Sequence, residues 1–482
     1  MTLERHKIWH SLIQVYREFA KESSVHGIKY TIQAKTTIER LLWLIVVVIS
    51  LVCSGQLANQ FYERHKSANM RTTVVTNQFP SLKLAIPAVT LCQGHLVSAE
   101  RLRPFLTMQK RLYLPRGLTI DDFEQGLRYL REIVYPSNHF SDELEKLQRI
   151  LNANRMSLPQ LLEQISPNCT DLLVTCMYEG RNESCDKLFV PILTSYGICC
   201  SFNNAVQRRW QPAFTRYTPK ANRDLYSINF GSRYILSVLL KPYNTSDRIA
   251  SITYGDGYKV LIHERYTRPG PNAVEFMAGE AYETVVGLYG TYLTSSPEVL
   301  SLSSSQRDCG ASFKSKIYRA ENCYMKCRNV AIQGLCNCMP FYSNDMDRRD
   351  TICNLTNIPC LARIISEIYS KTLRDCDCLP DCENTKYTVS ITGEPLNAAR
   401  FKPGKFYNKA REYPNSTALH ITFAGQAAVL ERRELVLSWI NLVSSLGGVF
   451  SLFLGCSFIS VIEFFYFFVF QLVRKLQTRR AQ

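Results

Sequence analysis

Charge is almost missing from one stretch of this chain. Between Leu435 and Val473 the only formally charged residue is Glu463, which excludes a solvated surface helix there. As straight helix the run would reach roughly 58 Å at 1.5 Å per residue, nearly twice a hydrocarbon core of about 30 Å. It must bend, break or continue past a bilayer. Cysteine is scarce at both ends too: of 18 cysteines, only Cys53 and Cys456 fall outside the middle of the chain. The N-x-S/T sequons show the same gap, since Asn168, Asn182, Asn244, Asn354 and Asn415 all stand in the middle. Absent throughout are a P-loop, a G-x-S-x-G elbow, an HExxH pair and a dinucleotide fingerprint. Nothing therefore points to an enzyme, and neither a cofactor nor a metal is expected.

A second apolar run, LLWLIVVVISLVCSGQL, occupies Leu41–Leu57. A signal peptide is the competing reading. Forty mostly polar residues precede the run, however, and no small-residue cleavage site follows it, so a retained anchor is expected. Residues 1–40 carry seven Lys/Arg against four Glu, and Arg474, Lys475, Arg479 and Arg480 follow the second run with no acid. Both flanks satisfy the positive-inside rule. The expectation is a cytoplasmic segment 1–40, a span over 41–60, an extracellular domain 61–434, a second span over 435–473 and a cytoplasmic tail 474–482. Sixteen cysteines and five sequons confined to the middle agree with an oxidising exterior. The formal charge of +16 carries no aromatic-interleaved basic stripe, and nucleic acid is not an extracellular partner. Membrane lipid is.

Within the middle, IPAVTLC (Ile86–Cys92) reads as a short strand leaving the membrane, and Val97–Leu173 shows apolar residues at helical spacing. Val190–Leu288 is strand-like and rich in turns. Residues 309–382 are dense in cysteine, with one helix expected over Pro359–Thr372. ALHITFAGQAAVL reads as a final strand. The pairs Cys336-x-Cys338 and Cys376-x-Cys378 suggest zinc, but outside the cell disulfides are the stronger reading. The second apolar run reads SSLGGVFSLFLGCSFISVIEFF, with Gly447, Gly448 and Gly455 where a break can form. Broken helix at membrane depth is tolerated only against protein or a water-filled cavity.

Several separated motifs now combine. EFAKESSVHGIKY holds His26-Gly27, Trp43 opens the first apolar run, and IPAVTLC and GICCSFN (Gly197–Asn203) follow. The ten-cysteine block and LGGVFSLFLGCSFISVIE complete the series. In this order they resemble the epithelial sodium channel/degenerin family, and within it an insect pickpocket-type subunit, across residues 19–470. Two positions depart from the family pattern: Ile86 stands where Phe is usual, and Cys200 where Tyr is usual.

The resemblance implies an α+β membrane protein, in which two transmembrane helices flank a large, disulfide-rich, hand-like extracellular domain, assembled as a homo- or heterotrimer. It implies the pairs Cys309–Cys382, Cys323–Cys378, Cys327–Cys376, Cys336–Cys360 and Cys338–Cys353, with Cys92–Cys199 and Cys176–Cys185 elsewhere. Cys169 and Cys200 then remain, and an eighth bond between them is expected, the alternative being two unpaired buried thiols.

By resemblance Gly455-Cys456-Ser457 is the selectivity tract. A Gly leaves helical geometry easily, and freed carbonyls with a Ser hydroxyl replace part of the hydration shell of a permeant Na+. The plainer reading is that Gly and Ser let helices pack closely. Ser444 matches a small outer-pore residue that permits closure, or is simply a helix-surface Ser. Glu463, an ionisable group at costly depth, either concentrates cations at the inner mouth or pairs with Arg40 or Lys475. His26-Gly27 takes a gating role, its segment folding back beneath the pore, only by resemblance, since on sequence alone the pair reads as a turn.

The implied function is a subunit of a voltage-independent, amiloride-sensitive, sodium-selective channel in the plasma membrane, sensory or constitutively open. Its extracellular ligand or stimulus is not encoded legibly. A two-span scavenger-type lipid receptor and the ATP-gated receptor class are the competing readings.

Overall fold

The structure is a computed structural model that describes residues 2–67, 70–108, 112–138, 141–206, 224–242, 245–270, 273–312, 317–343, 351–367, 376–398 and 404–480. The sequon at Asn244 lies outside the described residues. The chain divides into two units, one of residues 1–72, 296–307 and 433–482, the other of residues 73–295 and 308–432.

Beside a two-stranded pair of His95–Ser98 with Arg248–Ser251, the second unit is built on two large sheets. One runs in spatial order Val274–Gly279, Gly257–His263, Ala88–Gln93, Gly197–Phe202 and Phe189–Thr194. The other includes Thr417–Phe423, Leu236–Leu240 and Tyr282–Ser295, with Asn384–Pro395 paired along Tyr282–Leu293. Central strands read as near-continuous apolar runs because both faces are covered. GYKVLIH and LSVLL are buried at every position. Val89, Leu91, Phe202, Val260 and Ile262 from the first sheet share one core with Val238, Val286, Leu288, Leu419 and Phe423 from the second.

IPAVTLC thus forms the strand Ala88–Gln93, buried in the middle of its sheet. The strand that directly follows the helix Thr37–Lys66 is instead Met70–Pro80, whose exposed, Thr-rich MRTTVVTNQFP gives little apolar signal. ALHITFAGQAAVL forms two strands, Thr417–Phe423 and Ala427–Leu435.

Helices gather in a separate layer. Ala99–Met108, Ile120–Arg128, Asp142–Ala153 and Leu158–Ile165 bury Phe105, Phe123, Leu127, Leu147, Ile150 and Leu161 together. Thr119 and Asp122 form a reciprocal cap at the start of one helix, and Ser141 caps another, as the sequence spacing demands.

Among the described residues the cysteine block holds two α-helices where one is expected. Ile358–Glu367 covers the anticipated segment, the rest of which lies outside the described residues, and Ala320–Cys336 is additional. Cys323 and Cys327, four apart, share one helix face and bond Cys378 and Cys376. Cys309–Cys382, Cys336–Cys360 and Cys338–Cys353 complete the block. Elsewhere Cys92 bonds Cys199, Cys176 bonds Cys185, and Cys169 bonds Cys200. Successive strand residues face opposite sides of a sheet, so neighbouring Cys199 and Cys200 serve different clusters. Cys200 joins the core between the sheets, and Cys199 a smaller one with Cys92 and Leu261.

That outer face also carries a buried polar group. His263 Nε2 lies 3.0 Å from the Thr90 hydroxyl and its Nδ1 3.0 Å from the Glu264 carbonyl. A neutral imidazole satisfies both by donating from Nδ1 and accepting at Nε2. Burial holds the His263 pKa down at about 4 against an ordinary 6.5. With the folded value below the unfolded one, the stabilisation is complete above pH 6.5 and is lost as pH falls through the folded value. The gap corresponds to about 3 kcal/mol. Melting temperature followed from pH 7 to 4 should fall less steeply for His263→Gln than for the unaltered protein. Equal slopes would assign the acid sensitivity to another group.

Candidate functional site

The first unit contains the helices Thr2–Glu22, Tyr30–Gln33 and Thr37–Lys66, and near the other terminus Trp439–Leu454, Phe458–Phe465 and Leu472–Arg480. Thr36 and Glu39 form the capping box that starts Thr37–Lys66, so this helix runs beyond the expected 41–60 at both ends. It is long and apolar enough to cross a membrane. Trp439–Leu454 and Phe458–Lys475 meet the same requirement only when taken together, with a bend of 71° between them. The half-helix before the bend, Trp439–Leu454, on the side expected to be outer, packs against Thr37–Lys66, where Leu442 and Ser54 are buried, and His65 Nδ1 sits 2.9 Å from the Leu437 carbonyl.

The bend falls on Gly455-Cys456-Ser457. Gly455 takes a left-handed conformation, φ +65°, and ends the outer half-helix. Its N–H donates to Ser451 O at 2.9 Å, and that of Cys456 to Phe450 O at 3.2 Å. Ser457 begins the inner half-helix through a reciprocal cap with Ser460. Left-handed backbone suits Gly, but conformation is only half of the requirement here. A Cβ built on Gly455 would lie 2.4 Å from His26 Nδ1.

His26 and Gly455, far apart in sequence, are thus in contact. The His26 N–H donates to the Leu454 carbonyl at 2.8 Å, which gives a partner to one of the carbonyls that a helix C-terminus exposes. Gly27 is left-handed as well, φ +84°, and a Cβ there would lie 2.9 Å from Val47 Cγ2. Tyr30 stacks on Trp43 with centroids 4.7 Å apart. The His-Gly turn therefore wedges between the first apolar helix and the break in the second.

A chain of hydroxyls reinforces this contact. Ser460, buried, lies 2.7 Å from the Ser24 hydroxyl, and Ser24 donates to Glu463 from its hydroxyl at 3.0 Å and its backbone N–H at 3.2 Å. Glu463 accordingly pairs with neither Arg40 nor Lys475. Arg40 donates to the Ala34 carbonyl, and Lys475 forms an ion pair with Glu18 of the N-terminal helix. Val15 and Phe19 of that helix are buried with Phe467. Sequence reading singled out neither Ser24 nor Ser460. The one available signal was the Ser457-x-x-Ser460 spacing of a cap.

The outer half-helix leaves Ser444, Gly447, Gly448 and Ser451 exposed, three and four residues apart and therefore on one face. Ser457 is exposed and Cys456 half-buried, and Cys53 and Cys456 are unbonded. Of the sequons, Asn182 and Asn415 are exposed, while Asn168 and Asn354 are half-buried helix caps. Among the described residues no cluster of His, Cys, Asp or Glu could hold a metal ion.

A family model described as amiloride-sensitive sodium channel matches residues 19–467. The chain is 29% identical over 482 residues to the sodium channel protein Nach of Drosophila melanogaster, covering 95% of this chain and 87% of the relative. It is 24% identical to pickpocket protein 11 of the same species, with coverages of 94% and 75%. It is also 24% identical to the bile acid-sensitive ion channel of Mus musculus, with coverages of 96% and 90%.

The contact of Ser24 with Ser460 can be tested without reference to function. In a Cys456→Ser background, mild oxidation should link Ser24→Cys to Ser460→Cys, read as a cross-linked peptide by mass spectrometry. A yield no higher than from Ser23→Cys with Ser460→Cys would refute the packing.

Proposed function

Because the chain belongs to the amiloride-sensitive sodium channel family, we propose that it is a subunit of a trimeric, sodium-selective, voltage-independent channel of the plasma membrane. Thr37–Lys66 is the first span. The bent pair Trp439–Leu454 and Phe458–Lys475 is the second, and both termini are cytoplasmic, as the basic flanks favour. The observation that carries this reading is the break at Gly455–Ser457 in an otherwise apolar helix. Lipid gives an interrupted backbone no hydrogen bonds, so the break belongs on a wet axis.

The exposed face of Ser444, Gly447, Gly448 and Ser451 supports the same placement. Three copies turned inward along small residues would leave room for water and ions, whereas Leu452, 80% exposed to one side of that face, suits lipid. At the narrowing, Ser457 hydroxyls and backbone carbonyls replace part of the hydration shell of a small cation. His26 and Gly27 hold the break from below, so displacing them couples the cytoplasmic segment to the pore. Glu463 then positions Ser24 as well as adding negative charge at the inner mouth. The channel is opened by an extracellular stimulus or stands open constitutively.

Expression alone and with related subunits, recorded in sodium, should give an inward current that amiloride reduces. A small thiol reagent should alter that current, and Cys456→Ser should abolish the reagent's effect. A current indifferent to the reagent would turn Cys456 away from the conduction path. Ser444→Val, adding volume where three helices converge, should raise resting current at least several-fold relative to surface protein. No change in a conducting assembly would remove Ser444 from the outer pore.

A further inference from the structure

A cavity of about 440 Å³ lies where the helical layer meets the disulfide-stapled helices of the second unit. Three parts of the unit wall it. Ile133 ends the turn after the helix Ile120–Arg128, and Tyr135 follows it. Arg328 and Ile332 stand on Ala320–Cys336, with Leu361 on the neighbouring Ile358–Glu367. Tyr196 sits in the turn joining Phe189–Thr194 to Gly197–Phe202. Protein interiors close-pack and leave few voids larger than a water molecule, so a space of this size between two apolar clusters is a feature to be explained. The volume lies in the usual range of small-molecule sites, roughly 300–1,000 Å³.

The chemistry of the wall narrows the occupant. Most of the lining is apolar, with Ile133 and Ile332 buried. Against that, Arg328 supplies a permanently charged guanidinium whose fork matches a carboxylate. Tyr196 is fixed from its far side, its hydroxyl donating to Glu275 at 2.8 Å and the Lys259 ammonium lying 4.1 Å from its ring centroid. Its ring is a preorganised wall that loses little freedom when a ligand arrives. A cation would be repelled by Arg328, and a strongly polar molecule would lose hydration against the aliphatic wall.

We propose that this cavity binds a small, mainly aliphatic molecule bearing one carboxylate, with its chain against Ile133, Ile332 and Leu361 and its charge toward Arg328. Binding is a property of the second unit and is measured without current, so its failure and the failure of the channel reading are separate results.

The test uses the purified full-length chain in lipid nanodiscs with radiolabelled dodecanoate, and empty nanodiscs to subtract partition into lipid. Saturable binding of one dodecanoate per chain is expected. Leu361→Trp, which fills the space, should weaken it about ten-fold or more. Arg328→Gln should weaken dodecanoate about five-fold or more while leaving 1-dodecanol binding unchanged. Peptide mapping for intact disulfides checks that each variant is folded, and Ile133→Phe fills the cavity from the opposite wall if Leu361→Trp is not. Absence of saturable binding, or binding unaffected by filling from either wall, would overturn the site. Equal loss of dodecanol and dodecanoate in Arg328→Gln would overturn the carboxylate assignment.

Discussion

The close approach of His26 to Gly455 is the constraint on which the first unit depends. A helix that stops inside an apolar run exposes carbonyls that have lost their intrahelical partners. Here one of them, on Leu454, takes the His26 N–H, and the His26 imidazole lies where any side chain on Gly455 would have to go. The chain keeps its interruption by bringing a segment from far away to cover it. The Ser24, Ser460 and Glu463 contacts then fix that segment to the inner half-helix rather than leaving it as a loose turn.

The second unit solves a different problem. Two sheets share one apolar core, and the helices form another. Among its described residues the cysteine block has only a small cluster of its own, around Ile332, Cys336, Cys338, Cys353 and Ile364. There covalent bonds do much of what apolar burial does elsewhere. This follows the general pattern that segments unable to bury enough surface are held by disulfides in oxidising compartments.

What the sequence reveals follows from that division. Helices with a strong apolar stripe, such as DDFEQGLRYL, and strands buried on both faces are readable from periodicity. Ala320–Cys336 is not, because its fully buried positions are Asn329, Ile332 and Cys336, and cysteine staples stand in for a stripe. The N-terminal helix is hidden for a related reason: it is mostly polar, and Val15 and Phe19 find their buried partner, Phe467, at the far end of the chain. The His-Gly turn and the Gly-Cys-Ser break are each legible as motifs, and the resemblance implies that the first folds back beneath the second, but the particular His26–Gly455 contact is not encoded in either motif. Ser24 and Ser460 carried no signal beyond a common cap spacing, since a hydroxyl network depends on distances that spacing does not encode.

The adjacency of Cys199 and Cys200 makes strand register a chemical instruction. Leu91 faces Cys200 across the sheet and places Cys92 beside Cys199, while Cys200 turns to Cys169 on the opposite side. A slip of one residue would exchange the two thiols between faces and offer each the other's mate. During secretory maturation these strands must therefore align before oxidant seals them, or an isomerase must undo the misbridged product.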